Sequence, residues 1–428
     1  MTAVRQTIRN TRWAAALFLL LAVEAQSANV RLEVSATSSV AIADTALGGF
    51  NFGNWMQVSE FTDQLINVGP AVLRFPGGNN GDENDLTVDA LTAMKSSAGL
   101  LGKPQFILQT RVFASRPGAK NRPEDAAEAV RAAKELGLEV LYWEIGNEPD
   151  LYSVNRGDPS WTPEKYCRTF RAQRQAIMEV DPHARFAGPA VSGEPVRRDR
   201  FLSAFVGACG DVVDLLTWHI YPTDGKQTDA LALQTVAEAN GSLERYRALW
   251  NSPTQNPLGH ARRIEFGVTE YGLSWYSARM RHLNDQVAAL WAAETTLRLA
   301  EGGAAVISYF ALQGTGGHGV LDISGVPRPS YYAFSLLKGF NGSALVARCS
   351  DSEVWAHAAT SGQRLSLILI NSSTTEKPVA LDIPGWKPVD AQAFTAQSAD
   401  KEEDFMRLPV TPNLRLPGRS MARVNYVR

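Results

Sequence analysis

The sequence predicts an α/β fold, a (β/α)8 TIM barrel with a smaller β-sandwich domain formed from the C-terminal segment plus an N-terminal strand. Strand-like runs alternate with helix-like segments between about residues 44 and 335, and such alternation implies a parallel sheet. Eight units over roughly 270 residues match a closed barrel in count and length. After about residue 335 the segments become short, alternating and turn-bounded, which is typical of a sandwich.

The eight candidate strands of the barrel are apolar runs that end in Gly, Asn, Glu, His, Tyr or another short turn signal. An open doubly wound sheet is the alternative, but no Gly-rich dinucleotide turn follows the first strand. The segment "FPGGNNG" at 75–81 lacks that glycine order and instead favours a loop that passes close to a ligand. The candidates cover 46–55, 71–78, 104–112, 138–148, 185–191, 213–221, 263–272 and 305–312.

The clearest helices are predicted at 122–137, 162–180 and 284–303, where apolar residues recur at helical spacing. Pro123 and Thr162 mark the starts of the first two, as a first-turn proline and an N-cap. Glycines end the first and the third helix, as expected at helix C-termini.

We expect three regions along the chain: a signal peptide at 1–25, a catalytic barrel at 44–335, and a β-sandwich built from 29–43 and 336–428. The first region has a basic start, an apolar stretch too short to span a bilayer comfortably, and a small-residue cleavage site near Ala25. This pattern predicts a secreted or periplasmic protein without an integral membrane segment in the mature chain. An uncleaved anchor is the alternative, but no stop-transfer pattern follows.

Composition excludes some classes of protein. The 428 residues are 45% hydrophobic and 20% charged with a net charge of −2, which fits a large core and disfavours a dedicated nucleic-acid binder. The three cysteines, Cys167, Cys209 and Cys349, match no metal or redox motif, and an odd number permits at most one internal disulfide. Since Cys167 and Cys209 fall in predicted helices, we expect buried free thiols there. We also expect a monomer.

Two glutamates stand at the ends of predicted strands. Catalytic groups of a TIM barrel project from the C-terminal ends of its strands. Glu148 closes the fourth candidate strand in "EIGNEP", and Glu270 closes the seventh in "GVTEYG". A carboxyl pair across a pocket suits glycosidic bond cleavage, because one protonates the leaving oxygen while the other attacks carbon or activates water. A single glutamate at such a position is more often a loop carboxylate, but two with Asn-Glu-Pro favour catalysis.

Other polar residues at strand ends support this hypothesis. Asn147 is placed to bond a sugar hydroxyl next to the scissile bond. His219 and Tyr221 end the sixth strand and would orient Glu270 or touch the sugar, although a lone buried histidine is more often a core residue. Arg74 ends the second strand and would hold a carboxylate ionised, or else brace the barrel interior.

Aromatic residues lie at or just past several strand ends, where their faces could stack on sugar rings. For Trp143 and Trp218 the alternative is simple packing, and Glu144 is interpreted as a structural acid. The aromatic candidates are Trp55, Trp143, Trp218, Trp275 and Tyr276.

"EIGNEP" with a later "TEYG" resembles the clan A glycoside hydrolases, which are retaining enzymes on (β/α)8 barrels. With "LRFPGG", "WHIYP" and "GGHGVLD" in addition, the mature chain resembles glycoside hydrolase family 79, the heparanase and β-glucuronidase family. The resemblance implies that Glu148 is the proton donor and Glu270 the nucleophile. It implies that Asn147 contacts a sugar hydroxyl and that His219 and Tyr221 line the site.

In that family a Gly-rich loop after strand eight cradles the uronate carboxylate through backbone N–H groups and a tyrosine. The matching loop here is 314–322, with Gly316, Gly317 and Gly319. Glycine allows the close backbone approach that an anion held by N–H groups requires. His318 stands where the tyrosine is expected, which is a departure from the family pattern.

The function predicted from these observations is a retaining endo-β-D-glucuronidase of the heparanase type. It would cleave internal glucuronidic bonds of heparan sulfate-type glycosaminoglycans by double displacement, without a cofactor. Short barrel loops favour an open cleft and internal cleavage. The basic residues available for a sulfated chain are Arg116, Lys120, Arg122, Arg197, Arg198, Arg200, Arg262, Arg263, Arg279 and Arg281.

Three alternatives stay open at this point. One is an exo-β-glucuronidase, and another is a clan A retaining glycosidase acting on neutral sugars such as xylosides. A non-catalytic secreted glycan-binding protein is disfavoured because both carboxylates and Asn147 are present. Six scattered histidines without a clustered motif disfavour a metal-dependent hydrolase, so no metal is expected.

Overall fold

The computed structural model describes residues 29–113, 122–314, 316–395 and 405–428. It contains a closed eight-stranded parallel barrel and a nine-stranded, largely antiparallel curled sheet, which confirms the predicted fold class. The predicted signal peptide at 1–25 lies outside the described residues.

Each of the eight candidate strand runs contains one barrel strand. The strands are shorter than the runs because the last residues of a run leave the ladder and form the loop above it. In the fourth candidate run, for example, the strand ends at Ile145, so Asn147 and Glu148 lie just beyond it. After an N-terminal strand β1 (Val30–Ile42), the barrel comprises β2 (Gly49–Asn51), β3 (Val72–Phe75), β4 (Gln105–Thr110), β5 (Val140–Ile145), β6 (Phe186–Val191), β7 (Leu215–Ile220), β8 (Glu265–Tyr271) and β9 (Val306–Tyr309).

Helices connect the strands and cover the barrel. The three helices predicted from periodicity are confirmed, and Thr162 caps one of them by accepting the N–H of Lys165 at 3.3 Å. None of the described helices combines the length and the apolarity that crossing a membrane requires. The helices are α1 (Asp44–Leu47), α2 (Thr62–Asn67), α3 (Asn80–Glu83), α4 (Val88–Gly99), α5 (Pro123–Glu135), α6 (Tyr152–Asn155), α7 (Pro163–Val180), α8 (Pro195–Cys209), α9 (Asp229–Gln234), α10 (Ala237–Asn251), α11 (Gln286–Glu301) and α12 (Pro329–Leu337), with 3-10 turns at Val58–Glu60 and Pro149–Leu151.

The second sheet joins the two ends of the described chain. Its spatial order is β15-β14-β17-β12-β11-β10-β1-β13-β16, so the N-terminal strand β1 lies inside it, antiparallel to β10 and parallel to β13. The prediction that an N-terminal strand joins the C-terminal sheet is therefore confirmed. The C-terminal strands are β10 (Gly342–Cys349), β11 (Val354–Ser361), β12 (Arg364–Asn371), β13 (Lys377–Ala380), β14 (Lys387–Phe394), β15 (Met406–Arg407), β16 (Asn413–Leu416) and β17 (Ser420–Val427).

The barrel and the sheet share a hydrophobic core. One cluster of buried side chains runs from the barrel into the sheet, where it includes Ile368 and Met421. A polar contact joins the same parts: His357 on β11 bonds Glu294 and Glu301 of α11 at 2.8 and 2.9 Å. Since both apolar and ionic contacts cross the junction, the sheet packs directly against the barrel.

The expectation of free thiols at Cys167 and Cys209 was wrong, because these residues form a disulfide that links α7 to α8. The two helices pack side by side and bring the Cα atoms to 5.9 Å. Helix neighbours are a property of the barrel and not of the local sequence, which is why spacing did not reveal the bond. Cys349 is a free thiol.

Candidate active site

The predicted polar residues converge on the C-terminal rim of the barrel. They arrive from four different strands and so meet only when the barrel closes, as expected for a site in this fold. Arg74 comes from β3, Asn147 and Glu148 follow β5, His219 and Tyr221 come from the end of β7, and Glu270 lies on β8.

The backbone turns sharply where Glu148 leaves the barrel. Glu148 adopts a left-handed conformation with φ of 49°, which is uncommon for a residue other than glycine. Its N–H donates to the carbonyl of Ala190 at 2.9 Å. Two residues earlier, Gly146 has φ of 73°, and a Cβ there would lie 2.7 Å from the hydroxyl of Tyr152. The glycine is therefore required by both its conformation and its neighbour.

Arg74 organises the centre of the site. Its guanidinium is fully buried and donates to Asn51 at 2.9 Å, Glu144 at 2.5 Å, Asn147 at 2.8 Å and Glu270 at 2.7 Å. Burial alone would lower the pKa of Arg74, but the charges of Glu144 and Glu270 outweigh it and raise that pKa. Arg74 is thus a permanent cation that fixes the carboxylates of Glu144 and Glu270 and the side-chain oxygen of Asn147.

Glu270 accepts a second hydrogen bond on its other oxygen. The hydroxyl of Tyr221 donates to Oε2 at 3.0 Å, while Arg74 donates to Oε1. Burial and the charge of Glu270 raise the pKa of Tyr221 well above its usual value, so the phenol keeps its proton. Both donors stabilise negative charge on Glu270 and hold its orientation.

Glu148 has a different environment. Burial raises its pKa to about 7, and the charge of Arg74 opposes this only in part. Nδ1 of His219 lies 3.0 Å from Oε1 of Glu148, so the histidine contacts the predicted proton donor more closely than Glu270, at 3.8 Å. Burial lowers the pKa of His219 to about 4, and the imidazole is therefore neutral at pH 7. Among the described residues, Glu148 thus has no cationic partner as close as the Arg74 guanidinium is to Glu270.

The two carboxylates face one another across a short gap. An oxygen of Glu148, an oxygen of Glu270 and a ring nitrogen of His219 all lie within 4.8 Å of one another. Retaining glycosidases hold their carboxyl groups about 5–5.5 Å apart, and inverting ones about 6.5–9.5 Å. The same three side chains are close enough to share a metal ion, but Arg74 and Tyr221 already occupy both oxygens of Glu270.

A pocket of about 420 Å³ opens beside Glu148. Glu148 is 17% exposed towards solvent, compared with 7% for Glu270, so the former is the more accessible carboxyl group. The pocket is lined by Asn79, Asn80, Asp82, Glu83, Asn147, Glu148, Tyr152, Asn155 and Arg156.

The other predicted site residues lie around this centre without a described contact to either carboxylate. His318 packs edge-on against Phe310 with ring centroids 5.3 Å apart. A Cβ on Gly78 would lie 3.3 Å from the Phe310 ring and 3.5 Å from Glu270, so Gly78 lies close to both residues. Gly316 and Gly317 adopt φ of 63° and 92° in that loop.

The predicted aromatic residues divide into two groups. Trp143 and Trp218 are buried in the core, in line with the packing alternative. Trp55 and Trp275 are 45% and 57% exposed, after β2 and β8, and Trp275 contacts Tyr276 edge-on at 5.2 Å. These exposed rings are available to a ligand at the rim, whereas the buried ones are not.

Sequence reasoning missed three residues of the site: Asn51, Asp82 and Phe310. Asn51 ends β2 and Phe310 directly follows β9, so the strand-end rule that found Glu148 could have found both. Asp82 lies in a loop helix and accepts the backbone N–H of Asn147 at 2.7 Å. Nothing in its local sequence points to a partner 65 residues away.

Comparison with known proteins adds the family. Residues 134–375 match the family described as "Glycosyl hydrolases family 39". The chain is 25% identical to a β-xylosidase of Geobacillus stearothermophilus over 248 residues, covering 51% of this chain and 47% of that protein. It is also 25% identical to a β-xylosidase of Caldicellulosiruptor saccharolyticus over 260 residues, 56% of this chain and 50% of the relative. The chain thus spans about half the length of these curated relatives.

A more distant similarity links the chain to mouse heparanase, at 20% identity over 151 residues, 32% of this chain and 28% of the heparanase. Two solved structures show the same fold. The GH51 α-L-arabinofuranosidase of Thermotoga petrophila has a TM-score of 0.72 at 14% identity, over 93% of this chain and all of the other. A β-xylosidase from Caulobacter crescentus has a TM-score of 0.66 at 16% identity, over 93% and 99% of the two chains.

These matches confirm the clan predicted from the sequence, and the family they show is 39 rather than the predicted family 79. The motifs "LRFPGG" and "WHIYP", on which the narrower prediction partly rested, lie at the ends of β3 and β7. The family match covers more than half of the chain. The chain belongs to the glycosyl hydrolases of family 39, within clan A of the glycoside hydrolases.

Proposed function

We propose that this glycoside hydrolase is a retaining β-glycosidase acting on a neutral sugar, with β-D-xylosides as its foremost substrates. Glu148 would be the proton donor and Glu270 the nucleophile. The proposal rests on one observation above all: two carboxyl groups with oxygens within 4.8 Å of each other lie in unlike environments. One is bonded to Arg74 and Tyr221, and burial raises the pKa of the other to about 7.

The first step follows from those environments. The ionised Glu270 attacks the anomeric carbon as protonated Glu148 donates its proton to the leaving glycosidic oxygen, which departs as an alcohol. The glycosyl group is then bonded covalently to Glu270. Asn147, whose amide donates to Asn79 at 3.1 Å, has a second N–H for a sugar hydroxyl.

The second step reverses the roles. Glu148, now ionised, takes a proton from water while the water oxygen attacks the anomeric carbon, and Glu270 leaves as a carboxylate. Two displacements restore the starting configuration. Neutral His219 beside Glu148 does not hold it in one charge state, so the residue can act first as acid and then as base.

The cations around the site form hydrogen bonds with the protein itself, and this favours a neutral substrate. Arg74 has its donors engaged by four side chains of the protein. Arg328, beneath the Gly-rich loop, donates to the carbonyls of Gly314, His318 and Gly319. Burial lowers the pKa of His318 to about 4, so the residue in the place of the family 79 tyrosine is uncharged at pH 7. These groups offer little positive charge to a uronate.

The basic residues predicted to bind a sulfated polymer are largely engaged in ion pairs. Arg198 is 1% exposed and pairs with Asp199 and Glu238. Arg116 and Lys120 lie outside the described residues. Further pairs join Arg122 to Asp125, Arg197 to Glu194, Arg262 to Asp214, Arg279 to Asp224 and Arg281 to Asp229.

A β-glucuronidase, endo-acting as predicted from the sequence, is the second candidate. It is supported by the similarity to mouse heparanase and by the left-handed glycines Gly316 and Gly317, where backbone N–H groups can approach an anion. The two candidates differ in the group at C5 of the sugar, which is a carboxylate in one and a hydrogen in xylose.

A panel of 4-nitrophenyl β-glycosides separates the candidates. We expect kcat/KM for the β-xyloside to exceed that for the β-glucuronide by at least about tenfold, which corresponds to about 1.4 kcal/mol. A higher kcat/KM for the β-glucuronide, together with release of fragments from heparan sulfate, would favour the second candidate. Glu148→Gln should abolish turnover of the 4-nitrophenyl substrate that the wild type prefers while retaining binding. Normal turnover in that variant would end the assignment of Glu148.

We also propose that the protein is exported, as its N-terminal sequence predicts. The disulfide between Cys167 and Cys209 supports this proposal, because such bonds persist mainly in oxidising compartments. Fractionation of cells that express the full chain, with mass spectrometry of the N-terminus, tests it. Recovery in the cytoplasm with residues 1–25 intact would contradict it.

A further inference from the structure

Asp82 occupies the point where three barrel loops meet next to Glu148. It lies on the short helix α3 after β3, and its backbone carbonyl accepts the N–H groups of Val112 and Phe113, just past β4, at 3.1 and 3.0 Å. Its carboxyl Oδ1 accepts the N–H of Asn147, past β5, at 2.7 Å. One buried residue therefore joins the ends of three neighbouring strands.

The contact with Asn147 is part of a small closed network. The hydroxyl of Tyr152 donates to the same Oδ1 at 2.5 Å and lies 3.1 Å from the N–H of Asn147. The Cβ position of Gly146 is 3.3 Å from that oxygen. Asp82 is 1% exposed, so water does not compete for these bonds.

Glu148 needs such support because of its backbone conformation. A left-handed φ costs about 1–3 kcal/mol for most residues and persists only where the surroundings determine it. Asp82 holds the Gly146–Asn147 peptide by accepting the N–H of Asn147, and the carbonyl of Ala190 holds the next peptide by accepting the N–H of Glu148 at 2.9 Å. Removing the first of these bonds frees one side of the turn that presents the carboxyl group.

We infer that Asp82 is a positioning residue for the proton donor: it holds the Asn147 peptide so that the Glu148 carboxyl stays against the leaving oxygen. This inference rests on the proposed function, since it assumes that Glu148 is the acid. The inference goes beyond the proposed function because Asp82 acts through the backbone of Asn147 and transfers no proton itself. Its Oδ2 is buried, 3.9 Å from Arg156.

The test uses substrates that differ only in their need for an acid. A phenyl β-glycoside has a poor leaving group and depends on protonation, whereas a 2,4-dinitrophenyl β-glycoside leaves readily without it. We expect Asp82→Ala to lower kcat/KM about 10²-fold for the phenyl substrate, the loss typical of a misplaced catalytic group, and less than about threefold for the dinitrophenyl one. A general loss of structure would lower both alike.

Two further variants sharpen the comparison. Asp82→Asn keeps an oxygen for the Asn147 N–H, and because burial raises the pKa of Asp82 to about 8, asparagine resembles the uncharged side chain present at pH 6. We expect it to retain at least a tenth of wild-type activity on the phenyl substrate at that pH. Glu294→Gln replaces an equally buried carboxyl group at the barrel–sheet junction and should leave the ratio between the two substrates unchanged.

Equal losses on both substrates in folded Asp82→Ala, or no loss on either, would overturn the inference. So would an Asp82→Asn variant as impaired as the alanine variant. If alanine prevents folding, Tyr152→Phe tests the same network and should also affect the phenyl substrate selectively.

A crystal structure of Asp82→Asn or Asp82→Ala gives a readout that needs no turnover, and an unaltered Glu148 in the alanine variant would contradict the inference. If the wild-type protein were inactive on every glycoside tested, that result would instead count against the proposed function.

Discussion

Nδ1 of His219 lies 3.0 Å from Oε1 of Glu148, and the imidazole is completely buried. Burial keeps this ring neutral at pH 7, so the closest partner of Glu148 carries no positive charge. Glu270, by contrast, has the Arg74 guanidinium at 2.7 Å. The site therefore separates two chemically identical groups by their partners, which is how paired carboxyls take up different roles.

The pH dependence of activity follows from Glu148. Burial raises its pKa from 4.5 to about 7, and the proposed first step needs its proton. We expect kcat/KM to stay constant just below pH 7 and to fall as the pH rises through about 7. We assign this decrease on the basic side of the profile to loss of the Glu148 proton. The pH profile of kcat/KM for the phenyl glycoside checks this. The 2,4-dinitrophenyl glycoside is the matched control, because its kcat/KM should not show that decrease. A decrease of equal size with both substrates would contradict the assignment.

Replacement of Arg74 tests the centre of the site. Arg74→Leu leaves Glu144 and Glu270 buried without their cation, which typically costs about 3–5 kcal/mol of folding free energy. Arg74→Lys keeps the charge but cannot form four directed hydrogen bonds, so we expect kcat/KM to fall at least about tenfold. Urea denaturation and steady-state kinetics measure the two effects.

The control for Arg74 is Arg171→Leu, which removes an ion pair with Asp211 in which both side chains are 38% exposed. Such exposed pairs contribute less than about 1 kcal/mol. If Arg74→Leu were as stable as this control, the proposed organising role of Arg74 would be lost.

The junction between barrel and sheet should weaken at high pH. Burial opposes the charge of His357, but Glu294 and Glu301 outweigh it and raise its pKa to about 10, above its usual 6.5. Since the folded pKa exceeds the unfolded one, the stabilisation is complete below about pH 6.5 and is lost as the pH rises through 10. Arg298, which pairs with Glu294, is the other charge in the cluster.

We therefore expect His357→Gln to be about 3 kcal/mol less stable than the wild type at pH 6, with a difference that shrinks by pH 10.5. Chemical denaturation at both pH values measures it. His183→Gln, at an exposed histidine, is the control and should follow the wild-type pH dependence. A constant difference between the His357 variant and the wild type would refute the ionic role.

The disulfide should contribute to stability without affecting catalysis. It closes a segment with a sequence separation of 42 residues, for which the loss of chain entropy corresponds to about 4 kcal/mol. Neither cysteine contacts the carboxylate pair, so the double variant Cys167→Ser, Cys209→Ser should keep its kcat/KM while its denaturation midpoint falls. Cys349→Ser, at the free thiol, should change neither. An unchanged midpoint in the double variant would show that the bond does not form.

Much of the fold was predictable because its signals are local. Each barrel strand is an apolar run with a polar end, and helices such as α5 and α7 carry their own start residues. The alternating residues 29–42 and the family resemblance both predict a strand of the C-terminal sheet, and β1 pairs there with β10. The disulfide was not predictable, since it depends on which helices become neighbours.

The candidate site shows the same division. Glu148, Glu270 and Arg74 were found because a strand end is a feature of the sequence. The contact of His219 with Glu148 rather than Glu270 depends on the relative heights of β5, β7 and β8 in the barrel, which no local pattern encodes. The proposed substrate class was less predictable still, because it rests in part on Arg328 bonding carbonyl groups of the protein itself.

Covalent trapping tests the catalytic pair most directly. A 2-deoxy-2-fluoro-β-xyloside with a dinitrophenyl leaving group slows the release of a covalent intermediate more than its formation, so that a retaining enzyme accumulates it. Mass spectrometry of the digested protein should find the fluorosugar on Glu270, and Glu270→Gln should abolish the label. A label on Glu148 or on any other residue, or hydrolysis with inverted configuration at the anomeric carbon, would contradict the assignment of Glu270 as nucleophile and Glu148 as acid.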